Sequence, residues 1–80
     1  MSSRAAPEVI AVDACGAACP VPILELAKAA RRQGPGTLLT LWATDPAVER
    51  DVAAWCAATG HRLVSQDREG PRYRALIELR

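Results

Sequence analysis

The sequence is poor in aromatic residues and shows no clear excess of either charge. Two Trp, one Tyr and no Phe make aromatic residues 4% of its 80 residues, and the formal net charge is +1. Proteins that read single-stranded RNA stack bases on aromatic side chains, and binding to nucleic acid or anionic membranes through charge needs a basic excess. We therefore expect no direct binding to nucleic acid or to a membrane.

Long apolar runs are also missing from the sequence. No run approaches the roughly 20 residues of a membrane-spanning helix, and residues 1–7 lack the apolar core of a secretory signal. We expect residues 1–7 to form a flexible N-terminus. The three cysteines are an odd number, which does not suit the disulfide framework of a small secreted domain. These features predict a cytoplasmic protein with free thiols.

Common signatures of catalysis are absent as well. The sequence has no glycine-rich phosphate loop and no convincing pair of carboxylates or Ser–His–Asp set. Its one histidine, His61, follows Gly60 at the predicted end of a helix, where an imidazole can bond the last carbonyls. A role for His61 as a base for a cysteine is the alternative. We expect no cofactor.

Hydrophobic periodicity predicts six elements in the order β-α-β-α-β-β. The predicted strands cover residues 8–13, 37–44, 63–66 and 72–80, and the two helices begin at Pro20 and at Pro46, the second with Asp45 as its cap. In the last strand one face carries the apolar side chains of Tyr73, Ala75, Ile77 and Leu79. Right-handed crossovers place both helices on one face of the sheet, and the last two strands form a hairpin around residues 67–71. We predict one domain, residues 1–80, with an α/β (α+β) two-layer sandwich fold: a four-stranded mixed sheet with two helices on one face.

The strongest chemical candidate is Cys19, in the segment Cys19-Pro20-Val21-Pro22 that follows Gly16. Pro20 suits the first helical position, and Pro22 removes another early N–H, which leaves the amide of Val21 free for a capping side chain. A sulfur at the cap would face that amide and the positive end of the helix dipole, and both favour the thiolate. The motif therefore predicts an exposed Cys19 with a lowered pKa, supported by Gly16 and its proline-rich neighbours.

The other two cysteines occupy different settings. Cys15 lies four residues before Cys19, so the pair allows a reversible disulfide or two metal ligands. Redox pairs usually have C-x-x-C spacing, however, and zinc needs a second pair of ligands. Cys56 lies on the apolar face of the second helix beside Val52 and Trp55, which predicts core packing. Cys15 is therefore a candidate secondary thiol, and no metal site is predicted.

Taken together, these residues resemble the TusA/SirA-like family of small sulfur carrier proteins. The resemblance covers about residues 8–80. It rests on Asp13, Gly16, the Cys-Pro-x-Pro segment, Gly36, Asp45-Pro46, Asp51, Trp55-Cys56, Gly60-His61 and the strand 73–79. The resemblance implies the strand order 1-2-4-3 and a cysteine, here Cys19, that accepts sulfane sulfur as a persulfide.

The same resemblance implies protein partners at both ends of the transfer. The sulfur donor would be a cysteine desulfurase or a rhodanese-type protein, and the acceptor would be a partner's cysteine, often in a protein of the DsrE type. Family destinations include tRNA thiolation, molybdenum-cofactor enzymes and sulfur oxidation. The protein would then act as a carrier rather than as a free-standing turnover enzyme.

Two other functions remain open from the sequence. In the first, Cys15 and Cys19 form a dithiol redox or regulatory module, in which Cys15 attacks a persulfide on Cys19 and sulfide is released. Cys15 stands where the family usually has an apolar residue such as Leu, which gives this alternative its basis. In the second, the chain is a non-catalytic interaction module and the thiol of Cys19 is incidental.

Overall fold

Six elements follow one another in the predicted order. The computed structural model describes residues 9–80, so the N-terminal segment 1–7 that was expected to be flexible lies outside the described residues. The elements are β1 (Val9–Ala14), α1 (Val21–Arg32), β2 (Leu38–Ala43), α2 (Val48–Thr59), β3 (Arg62–Glu69) and β4 (Arg72–Glu78). The predicted fold class is confirmed.

The four strands form one mixed sheet in the order β1-β2-β4-β3. Strands β1 and β2 are parallel, whereas β4 is antiparallel to both of its neighbours. This order is the one that the family resemblance implied. Because each helix follows one of the two parallel strands, α1 and α2 both begin at the sheet edge where β1 and β2 end. The starts of the two helices are therefore close in space although they are far apart in sequence.

One hydrophobic core lies between the sheet and the two helices. Buried residues alternate along β2 and β4, as a sheet with one covered face requires. The strands contribute Ala14, Leu39, Leu41, Ala43, Tyr73, Ala75 and Ile77 to the core, the residue Leu79 follows β4, and the helices contribute Leu26, Val48, Val52 and Cys56. The predicted inward alternation of the last strand and the core position of Cys56 are confirmed.

Helix α2 begins two residues later than the sequence predicted. Its first helical residue is Val48, and Ala47 is the N-cap. The reason is a local turn: the Asp45 carboxylate accepts a hydrogen bond from the Ala47 backbone N–H at 3.1 Å. Aspartate commonly bonds its own backbone two residues on, and that turn takes up Asp45 and Pro46 before the helix starts. Gly60 ends the helix as predicted, at φ 85° with its N–H donating to the Cys56 carbonyl at 2.9 Å.

Strand β3 is longer than the predicted segment 63–66, and the predicted turn at residues 67–71 is shorter. Residues 67–69 continue the strand and pair with residues 72–74 of β4, which leaves Gly70-Pro71 as the turn. Polar residues fit here because β3 is an edge strand with exposed side chains. The Asp67 carboxylate and the Arg74 guanidinium form a cross-strand ion pair at 2.9 Å, which supports the pairing.

The β3–β4 hairpin is joined to the start of α2 through Arg68. Its guanidinium donates to the Pro71 carbonyl at 2.9 Å, to the Asp45 carbonyl at 3.3 Å and to the Glu49 carboxylate at 3.3 Å. It also lies 5.6 Å from the centre of the buried Tyr73 ring. These contacts fix the β2–α2 connection relative to the sheet, and so help to position the first turn of α2.

Candidate functional site

Cys19 lies in the connection between β1 and α1, two residues before the helix begins. Its side chain is exposed, and the Cys19–Pro20 peptide bond is cis. Two apolar side chains of the first helical turns are also unusually accessible: Val21 is 41% exposed and Leu24 is 55% exposed. The exposed thiol is therefore followed, in the first turns of α1, by two exposed apolar side chains.

The loop before Cys19 is held at two points. The Cys15 N–H donates to the Asp13 carboxylate at 3.0 Å, and the Gly16 N–H donates to the Thr44 hydroxyl at 2.8 Å. Gly16 has φ 85°, a conformation that residues with a Cβ rarely adopt. The bond from Cys15 lowers the pKa of the Asp13 carboxyl because it favours the charged form. The predicted supporting role of Gly16 thus has a conformational basis.

The predicted capping of α1 by the Cys19 sulfur is wrong. The helix starts at Val21, with Pro20 as the N-cap residue, and no side chain caps it. The Val21 N–H, which was expected to be free, donates to the Ala18 carbonyl at 2.9 Å. A main-chain turn over residues 18–21 therefore satisfies the amide that the sulfur would have bonded.

The thiol of Cys19 instead contacts the start of the other helix. Its Sγ donates a hydrogen bond to the Oδ2 atom of Asp51 at 3.1 Å. This hydrogen bond raises the pKa of Cys19, and partial desolvation and the negative charges of Asp51 and Asp45 act in the same direction. Arg50 opposes them as a smaller influence. The predicted lowering of the Cys19 pKa is therefore wrong for the free protein, because the thiol faces a carboxylate and the Val21 N–H bonds the Ala18 carbonyl instead of the sulfur.

The sequence did not reveal that Asp51 contacts the Cys19 thiol. Asp51 belongs to the first turn of α2 and lies 32 residues after Cys19, so no local pattern connects them. The available signal was topological: two successive β-α units with parallel strands bring both helix starts to one sheet edge. An acidic residue in the first turn of the second helix was then a candidate neighbour for a cysteine before the first.

His61 lies far from the thiol. It follows the C-terminus of α2, whereas Asp51 and Cys19 are at the N-terminal end of that helix. Its Nδ1 accepts the Arg80 N–H at 3.1 Å, and its ring centre is 5.1 Å from that of Trp55. The alternative in which His61 acts as a base for Cys19 is thereby excluded for this conformation, and the imidazole joins the chain's last residues to the end of α2.

The remaining cysteines differ in access. Cys15 is exposed in the same loop as Cys19, whereas Cys56 is buried in the core, where desolvation raises its pKa. Within residues 9–80, no three side chains of the His, Cys, Asp or Glu type form a group that could hold a metal ion. None of the helices in this part of the chain combines the length and apolarity needed to cross a membrane.

Comparison with known protein families agrees with the sequence resemblance. A family model described as sulfurtransferase TusA matches residues 10–79. The chain belongs to the TusA sulfurtransferase family. The match runs from β1 to the residue after β4, so it includes both Cys19 and Asp51. Membership supports a role in sulfur transfer together with protein partners.

Proposed function

We propose that this TusA-family protein is a sulfur carrier that accepts sulfane sulfur on Cys19 as a persulfide and passes it to a cysteine of a partner protein. The observation that carries the proposal is the exposed thiol of Cys19 in the Cys-Pro-x-Pro segment at the start of α1. An exposed sulfur at this position can attack a sulfur atom of a second protein, and a persulfide formed on it can be attacked by a partner's cysteine. Gly16, Pro20, Val21 and Pro22 support it by shaping the loop and the helix start.

The transfer is a thiol–disulfide type of exchange and needs no external oxidant. The Cys19 sulfur, after losing its proton, attacks the terminal sulfur of the donor's persulfide and forms a new S–S bond. The donor's S–S bond breaks, and its electron pair remains on the donor's cysteine, which takes up a proton. A donor persulfide and the Cys19 thiol thus become a donor thiol and a Cys19 persulfide. Delivery repeats the exchange with the acceptor's cysteine.

The surface beside the thiol suits a protein partner. Val21 and Leu24 are apolar and substantially exposed in the first turns of the helix that follows Cys19, and burial of apolar surface is the main favourable contribution to most protein–protein association. A partner that covers them would bring its own cysteine to Cys19 and exclude water from the reacting sulfurs. The protein would then provide the carrier thiol and the docking surface, while its partners determine the direction of transfer.

The partners follow from the family resemblance. We infer a cysteine desulfurase or a rhodanese-type protein as donor and a DsrE-type or similar protein as acceptor. A reducing compartment such as the cytoplasm suits a carrier whose three cysteines are free thiols. In this proposal the protein acts through partner proteins and does not bind nucleic acid or a membrane directly.

Mass spectrometry of the intact protein tests the proposal. Incubation with a cysteine desulfurase and its cysteine substrate is expected to add the mass of one sulfur atom, removable by a thiol reductant. The Cys19→Ser variant is expected to remain unmodified. If Cys19→Ser still acquires the added sulfur to the extent of the original protein, Cys19 is not the carrier.

The other two cysteines provide matched controls. Cys56→Ala is expected to retain the adduct because this thiol is buried. Cys15→Ser is expected to load as the original protein does, because a carrier needs one thiol only. If loading instead produces an intramolecular disulfide and free sulfide, and Cys15→Ser prevents both, the dithiol module replaces the carrier as the better description.

A further inference from the structure

The hydrogen bond between Cys19 and Asp51 links the β1–α1 unit to the β2–α2 unit at the sulfur of Cys19. The distance of 3.1 Å between Sγ and Oδ2 is short enough for the thiol to donate a hydrogen bond to the carboxylate. Asp51 is half-buried in the first turn of α2, and its own backbone N–H is held by the Ala47 carbonyl at 3.2 Å. The carboxylate is therefore a positioned group on a regular helix, whereas Cys19 lies in a loop.

The charges around the thiol act unequally. Asp51 on α2 and Asp45 in the β2–α2 connection both disfavour a negative sulfur, and Arg50 on α2 partly offsets them. Helix α1 has no acidic residue in its first turn, and no side chain caps it. The two carboxylates have the larger effect, so the surroundings of Cys19 favour its neutral, protonated thiol.

We propose that Asp51 is a positioning residue that keeps Cys19 as a neutral thiol turned toward α2, and thereby limits reaction of the free carrier with small electrophiles. This inference rests on the proposed role of Cys19 as the sulfur carrier. The neutral thiol is a poor nucleophile, since the thiolate is the reacting form in exchange reactions. The carrier is then restrained when alone and becomes reactive where a partner takes the thiol's proton or neutralises the Asp51 carboxylate.

The hydrogen bond to Asp51 also determines the orientation of the Cys19 thiol. A carboxylate accepts hydrogen bonds and cannot donate them, so Asp51 holds the sulfur only while the sulfur has a proton. Once the proton is lost, the sulfur and the carboxylate repel each other. The deprotonated sulfur would therefore be displaced from α2 toward the exposed surface, where a partner's sulfur approaches.

The test is the pH dependence of Cys19 alkylation by iodoacetamide in the free protein. All variants are made in a Cys15→Ser background, because a tryptic peptide would contain both cysteines, and modification is measured by peptide mass spectrometry. Asp51→Asn keeps the size of the side chain and removes its charge. Its alkylation midpoint is expected at lower pH than that of the parent, with faster alkylation at neutral pH.

The size of the rate effect follows from two opposing trends. Below the thiol's pKa, a unit decrease raises the thiolate fraction about tenfold. A less basic thiolate is a weaker nucleophile, with a Brønsted slope of about 0.4–0.5, so the net gain in rate is about threefold for each tenfold gain in thiolate. Asp51→Glu retains the charge and is expected to restore much of the parent's pH profile.

Glu49→Gln is the matched control. It removes the same charge from the same helical turn but keeps a side-chain oxygen that can accept from Arg68, the partner of Glu49, so the start of α2 stays in place. Its alkylation profile is expected to follow the parent's. A profile of Asp51→Asn that coincides with the parent's, or an equal displacement in Glu49→Gln, would overturn the inference. Either result leaves the carrier role of Cys19 to be judged by its sulfur adduct, because alkylation requires neither donor nor persulfide.

Discussion

The Gly16 N–H donates a hydrogen bond to the Thr44 hydroxyl at 2.8 Å, which ties the loop that carries Cys19 to the residue after β2. The contact spans 28 residues of sequence and sits at the sheet edge where both helices begin. Because Thr44 lies between β2 and α2, this contact and the hydrogen bond from Cys19 to Asp51 both join the β1–α1 loop to the part of the chain around the start of α2.

Gly16→Ala is expected to destabilise the protein by about 1–2 kcal/mol, the usual cost of a left-handed backbone at a residue with a Cβ. None of the atoms in residues 9–80 would clash with the added Cβ, so the loss would come from the positive φ of 85°. Urea denaturation measures it. Gly34→Ala is the control, since Gly34 has no such φ and also has open space around it. It is expected to be neutral or to gain up to about 1 kcal/mol. Equal losses in both variants would contradict this explanation.

Two leucines of α1 separate stability from docking. Leu26 is completely buried, whereas Leu24, two residues earlier and nearer the helix start, is 55% exposed. Leu26→Ala is expected to cost about 2–5 kcal/mol in denaturant unfolding, a large part of a small domain's stability. Leu24→Ala is expected to change stability by less than about 0.5 kcal/mol.

The Leu24→Ala variant also tests the proposed docking surface. Leu24→Ala is expected to slow sulfur loading of Cys19 from a protein donor while alkylation by iodoacetamide proceeds at the original rate. The small reagent needs no docking, so the difference between the two rates isolates the partner's contact with Leu24. Unchanged loading from the protein donor would remove Leu24 from the proposed interface.

The sequence predicted the fold well because local patterns determine it. The alternation of Tyr73, Ala75 and Ile77 predicted the inward face of β4, and Gly60 predicted the end of α2. The errors arose where polar residues can adopt either of two local structures. Asp45 formed a turn before α2 instead of capping it directly, and residues 67–69 extended an edge strand instead of forming the hairpin turn.

The candidate site was predicted only in part, because its electrostatics are not local. The position of Cys19 before a helix was correct, and the expected exposure was confirmed. The local pattern predicted its pKa in the wrong direction because the carboxylate that raises it lies on the second helix, 32 residues later. The Ala18 carbonyl accepts the Val21 N–H, and Asp51, from the next helix, accepts the hydrogen bond that the Cys19 thiol donates. The order of the elements implied that the starts of α1 and α2 are close in space, but not that Cys19 contacts Asp51.

Stability is expected to fall at alkaline pH because buried groups must keep their protons. Burial raises the pKa of the Cys56 thiol above its ordinary value of 9.0, and burial, with a smaller contribution from the Glu49 charge, raises that of the Tyr73 phenol. The Tyr73 hydroxyl also donates to the Gln66 side chain at 2.6 Å. The exposed Cys19 thiol, whose pKa is raised by Asp51, acts in the same direction.

The sign follows from proton linkage. Each raised pKa means that the folded state retains a proton that the unfolded chain has released, so unfolding is favoured as the pH rises. The stability from these groups is complete below their ordinary pKa values and is lost as the pH increases through the folded-state values. Urea unfolding from about pH 7 to 10.5 is expected to show a decline that begins near pH 9, with the Cys56 thiol as its first buried contributor. The decline should be smaller in Cys56→Ala and smaller again with Tyr73→Phe added. A double variant that declines as steeply as the original protein would show that neither buried group is responsible.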